Sequence, residues 1–184
     1  MDDGREVAVQ KKAILAEVFT DTHRIRGQLF PAATGLYNHI NRSTESFIEM
    51  EECEINSLHL IAQPGEKFSR LFIMKDEIIA VMVRSKGELA APSVVRAGYT
   101  QPFPHWVRAF LSSYELVGQI QTSGRFDFAA IMLEGDVRFL AMYDGTLTAH
   151  LFPRVRTQAS ALAFNRNRLA MLTLTTREYA EQEA

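Results

Sequence analysis

The chain has 184 residues, with 22 acidic and 20 basic side chains and a net charge of −2. Its 47% apolar and 23% charged content supplies enough apolar surface to offset ordering entropy, which excludes a disordered chain, a collagen-like chain and a disulfide scaffold. Near-neutral charge speaks against a protein that coats nucleic acid by bulk electrostatics.

The N-terminus, Met1 to Glu6, is polar and acidic. It lacks the basic flank and apolar run of a secretory signal. No stretch reaches the roughly 18 consecutive apolar residues of a membrane span. The expectation is a cytoplasmic protein with no membrane partner, and residues 1–10 and 176–184 read as frayed or helical ends.

Residues 13–19 and 23–30 are apolar-rich and are separated by the polar step Thr20-Asp21-Thr22. That pattern predicts a hairpin or a bent strand pair. Residues 35–42 place Leu36, Tyr37 and Ile40 on one side of a short helix. Residues 46–55 alternate Ile48 and Met50 against Glu49 and Glu51, so one strand face is buried and the other is wet. A phase slip at Glu51-Glu52, before Cys53, predicts a bulge. Cys53 is the single cysteine. It excludes an intramolecular disulfide and a Cys-based zinc site, and reads as a small buried strand residue. Residues 70–82 read as a tight hairpin around Lys75-Asp76-Glu77. Three prolines and two glycines then punctuate residues 85–104, which marks a linker over 85–103. Residues 104–111, with Trp106 and Phe110, fit a strand.

The second half repeats this order. His23 to Leu29 corresponds to Tyr114 to Ile120, and Gly27 to Gly118, at an offset of 91 residues. Ile73 to Val81 corresponds to Phe164 to Leu172 at the same offset, whereas Phe47 to Met50 corresponds to Phe139 to Met142 at 92. Such self-similarity points to an internal duplication. Gly27 and Gly118 lie inside strands, each followed by Gln. A strand-interior glycine marks a sharp bend or a close backbone approach, and small barrels need such bends. The fold class is therefore mainly β: two tandem small bent-sheet β-barrels over residues 11–84 and 104–176, with short helical turns.

This order, with a glycine in the second strand and an apolar-turn-apolar block at the end, resembles the Sm/LSm-like small β-barrel, present twice. The resemblance covers about residues 13 to 174 and rests on Gly27 with 71–81, and on Gly118 with 162–172. It implies a fold in which the glycine lets the second strand bend. The family's RNA-reading loop, an acidic residue followed by an aromatic or aliphatic one and then Asn, is not matched. Asp127 and Phe128 come nearest, followed by Ala129 and Ala130. Lys75-Asp76 and Arg166-Asn167 replace the family's basic-glycine pair.

No enzyme signature appears. His23, His39, His59, His105 and His150 include no pair at i, i+4 and no His-x-His, so no metal site is expected. Glu49, Glu51, Glu52 and Glu54 read as a solvated strand face rather than a cation cluster. Glycine-rich nucleotide loops and a nucleophile elbow are absent. No catalytic residue and no cofactor is assigned.

Charge separates the halves. Residues 1–90 carry 11 basic and 14 acidic groups; residues 91–184 carry 9 and 8, and all nine basic residues are Arg. Arg154, Arg156, Arg166 and Arg168, beside Phe152 and Phe164, are the candidate anion- or nucleic-acid-binding residues, since Arg and aromatics together grip single strands. They equally suit a protein interface. The leading expectation is a non-enzymatic oligomerisation, regulatory or scaffold module whose exposed sheet edges pair into a homo-oligomer or with a protein partner. Single-stranded nucleic-acid binding by the second half is one alternative. Another is a small-molecule sensor with an aromatic pocket between the halves, lined by Trp106, Phe126, Phe128 and Tyr143.

Overall fold

The computed structural model describes residues 12–31, 35–60, 63–89, 102–133 and 137–182. In the first half the strands are β1 (Ile14–Phe19), β2 (His23–Leu29), β3 (Phe47–Ser57), β4 (Glu66–Met74) and β5 (Ala80–Val83). In the second they are β6 (Phe103–Leu111), β7 (Tyr114–Thr122), β8 (Phe139–Ala149), β9 (Arg156–Asn165) and β10 (Leu169–Leu174). Four short helices accompany them: α1 (Leu36–Asn41), α2 (Lys86–Leu89), α3 (Phe128–Leu133) and α4 (Arg177–Gln182). The helix expected at 35–42 and the strand expected at 104–111 are thus present. The centre of the expected linker, 90–101, and the N-terminal tail lie outside the described residues.

All strand pairs are antiparallel, in the order β10-β6-β7-β8-β9-β5-β1-β2-β3-β4. The ten strands form one continuous sheet that is not closed. Two separate barrels were expected; instead the halves are fused edge to edge through β5 and β9. The sequence explains the fusion. Every residue of β5 is buried, as is every residue from Ala161 to Asn165 in β9. Strands apolar on both faces need a neighbour on each side and a core above and below. Val81, Val83, Ala161 and Ala163 feed one hydrophobic cluster, and Ala80, Met82, Leu162 and Phe164 feed the other. Each core therefore draws on both halves.

The hairpin expected at Lys75-Asp76-Glu77, and with it the corresponding turn 91 residues on at Arg166-Asn167-Arg168, is corrected by the same logic. β4 does not pair with β5, and β9 does not pair with β10. The chain does turn tightly, Glu77 N–H donating to Met74 O at 3.0 Å and Ile78 N–H to Lys75 O at 3.3 Å. It then crosses over, and Ile79 N–H donates to Phe19 O at 2.8 Å, starting the β5–β1 pairing. A fully apolar β5 gains more from the sheet centre than from a place beyond the wet β4.

The two halves share register as well as order. Val83 lies opposite Ala16, and Leu174 opposite Val107, each 91 residues on. The β2–β3 register shifts between Arg26 and Gln28, around Gly27. The β7–β8 register shifts between Val117 and Gln119, around Gly118. A Cβ on Gly27 would stand 2.9 Å from Cys53 Sγ and 3.0 Å from Glu51 O. On Gly118 it would stand 2.8 Å from Met142 Cγ and 2.9 Å from Gly145 Cα. Both positions need glycine because the facing strand comes too close for a side chain. The bulge expected near Glu51-Glu52 is there, with Glu52 at φ 48°.

Candidate functional site

The candidate Arg/Phe residues are divided between the two ends of β9. Arg154 and Arg156 are exposed, in the β8–β9 connection and at the start of β9. Arg166 and Arg168 lie in the 3-10 turn that follows its last residue. A ten-residue strand separates the pairs, roughly 30 Å if extended. Phe164 is fully buried and packs in the second cluster, and Phe152 packs against that cluster with its ring 4.8 Å from His59. Arg168 pairs with Asp21, so it is tied to the β1–β2 turn. The ring of Phe164 offers no surface for stacking.

The aromatic residues of the supposed pocket also separate. Tyr143 is buried in the first cluster, Phe126 packs on the second, Phe128 is exposed on α3 and Trp106 is half-buried on β6. Among the described residues no cluster of His, Cys, Asp or Glu could hold a metal ion. Of the glutamates on β3, Glu49 pairs with Arg70 at 2.8 Å and Glu54 accepts from Asn56 at 3.3 Å. Burial, with Glu52 and Glu51 nearby, pushes the Cys53 thiol pKa up, which keeps it a protonated packing residue.

What the fold does assemble is a sealed joint between the halves. Asn165, only 1% exposed, donates its side-chain amide to Lys75 O at 3.2 Å and to Ile78 O at 3.0 Å. Its side-chain oxygen accepts from Asn167 N–H at 3.0 Å. Asn41 holds Phe139 from both sides, accepting from its N–H at 2.7 Å and donating to its O at 3.0 Å. Ser113 donates to Asp21 at 2.7 Å, and Tyr114 donates to Thr20 O at 2.7 Å. Buried polar groups so fully paired fix one arrangement of the halves.

Beyond the joint lie two free edges. Among the described residues β4 pairs only with β3, and β10 only with β6. Phe72 on β4 is 56% exposed and Met171 on β10 is 61% exposed; Phe68, Met74 and Leu174 are exposed too. β10 contains no charged residue. Monomeric proteins usually blunt such edges with charge, proline or bulges. The sequence hinted at this feature only through the apolar run 169–172, which looks the same whether a strand is central or at an edge.

The chain matches no family model, no curated protein and no solved structure. No helix among the described residues is long and apolar enough to cross a membrane.

Proposed function

We propose that this protein is a non-enzymatic assembly module, built from two duplicated Sm-like repeats, whose copies join through β4 of one and β10 of the next. The observation that carries this reading is the β5–β9 joint. β5 occupies in the first half the place that β10 occupies in the second, and β9 occupies the place of β4. The register inside the chain is Ala80↔Phe164, Val81↔Ala163, Met82↔Leu162 and Val83↔Ala161. Shifted by 91 residues, the same joint between copies sets Met171 opposite Ile73, Leu172 opposite Phe72, Thr173 opposite Leu71 and Leu174 opposite Arg70. The free edges are the joint's two half-faces: β10 carries no charged residue, and β4 exposes Phe68, Phe72 and Met74 beside Glu66, Lys67 and Arg70. Repeated head to tail, such a contact builds a ring if the rotation closes and a filament if it does not. The duplication rests on the shared strand order, the shared register and the two glycine-centred bulges.

Cysteine pairing tests the register. Directly opposed strand residues hold their Cβ atoms about 4.5–5.5 Å apart, within reach of a disulfide with small adjustment. The variant Leu71→Cys/Thr173→Cys forms intermolecular crosslinks on mild oxidation, while Leu71→Cys/Leu169→Cys, out of register, does not. Equal crosslinking of both variants, or none of either, contradicts the proposal.

A further inference from the structure

β5 is only four residues long, and its end leaves a gap in the sheet. Its last residue, Val83, lies opposite Ala16 on β1 and Ala161 on β9. Beyond it, β9 continues through Ser160, Ala159, Gln158 and Thr157, and β1 continues through Leu15, with no strand between them. Neighbouring strands lie about 4.8 Å apart, so the gap between these rails is about one strand wide. It opens into a cavity of about 590 Å³ whose lining includes Leu15, Glu17, Arg26, Met82, Arg84 and Thr157. That volume lies within the range typical of small-molecule sites.

The lining carries two features that point to a ligand. The first is charge. Glu17 is already held by Arg24 at 2.6 Å and by Arg26 at 2.9 Å, one guanidinium on each oxygen. Its negative charge is more than balanced, and the exposed Arg84 adds a further cation that makes no ion pair among the described residues. The second is the apolar part of the same lining, which includes Leu15 and Met82.

We infer that this cavity is a binding site for a small organic oxyanion, a phosphate or carboxylate on an apolar body. The oxyanion sits against Arg84, whose planar fork of donors suits either group. The apolar body lies along Leu15 and Met82. The site is particular to the internal joint. The residues 91 positions after Leu15, Glu17, Met82 and Arg84 are Trp106, Arg108, Thr173 and Thr175, a different chemistry. It does not depend on how copies assemble.

The test is calorimetric titration of the full chain with phenyl phosphate, benzoate and inorganic phosphate. The first two share an apolar body and differ in the oxyanion, and the third lacks the body. Saturable binding of phenyl phosphate or benzoate at one per chain is expected, weaker for inorganic phosphate, and the tighter of the two organic probes identifies the oxyanion. Arg84→Gln weakens it by about tenfold, the loss of one charge-assisted contact. Absence of saturable binding by both organic probes at millimolar concentration, or undiminished affinity in Arg84→Gln, overturns the inference.

Discussion

Glu52 and Asp144 lie 92 residues apart and hold nearly the same unusual backbone angle, φ 48° and φ 49°. They are the only non-glycine residues with positive φ among those described, and each sits in the stretch of β3 or β8 that faces a glycine-centred bulge. A left-handed residue there lets the strand turn past Gly27 or Gly118. Branching at Cβ is poorly tolerated at such angles. Glu52→Val and Asp144→Val therefore each lower stability by about 1–2 kcal/mol, whereas Glu52→Gly leaves it unchanged or raises it. Urea unfolding of the three variants checks this.

The glycines themselves give a second expectation. At Gly27 an added methyl meets a thiol and a backbone carbonyl, and at Gly118 a methionine side chain and a backbone Cα. Backbone atoms on the facing strand cannot rotate away. Gly27→Ala and Gly118→Ala each destabilise by about 1–3 kcal/mol, the usual cost of overpacking. Thermal unfolding with circular dichroism reads the effect, and an unchanged midpoint in both would refute the close-approach account of the bend.

Asn165 seals the joint with three hydrogen bonds, two donated to carbonyls and one accepted. Asn165→Ala leaves those partners unpaired in a buried place. The expected loss is about 2–3 kcal/mol, and because both cores share the joint the two halves still unfold in one transition. Separate transitions in denaturant would show that the halves are independent.

Alkaline pH acts on the buried tyrosines. Burial raises the pKa of Tyr114, Tyr143 and Tyr37 above the ordinary 10.0, with Asp21 adding to the effect at Tyr114 and Tyr143 at Tyr37. In that window the unfolded chain releases protons that the folded protein retains. Stability is therefore full below pH 10.0 and falls as the pH rises toward the raised values. Lys75 works the other way. It is 2% exposed and donates to Arg42 O at 2.8 Å, yet burial lowers its pKa from 10.5. Its contribution is least favourable below its lowered pKa and recovers as pH rises toward 10.5. Three tyrosines outweigh one lysine, so the unfolding midpoint drops as the pH rises above 10.0. Lys75→Met makes that drop steeper, and Tyr114→Phe makes it shallower.

Local pattern carried much of this structure into the sequence. Alternation of Ile48 and Met50 with glutamates showed the β3 face, the step at Thr20-Asp21-Thr22 showed the β1–β2 turn, and the slip at Glu51-Glu52 showed the bulge. Each depends only on neighbours along the chain. The fate of β5 depended on something else. Ala80 to Val83 reads as apolar whether it folds back on β4 or crosses to lie between β1 and β9, and only a partner 78 or more residues away, in β9, decides it. The candidate arginines failed for a related reason. Nearness to Phe152 and Phe164 in sequence said nothing of the strand that holds Arg156 and Arg166 at opposite ends. The cavity beside Arg84 had no signal at all, because its walls come from four strands in both halves.

Assembly through the free edges is the central claim, and light scattering on the eluting protein tests it most directly. At moderate salt and high micromolar concentration the account predicts a defined multiple of 20.8 kDa. It further predicts that Phe72→Lys or Leu174→Lys, each at an exposed edge position, shifts that species toward the single chain without changing its circular dichroism. A clean 20.8 kDa monomer for the unaltered protein under those conditions would contradict it.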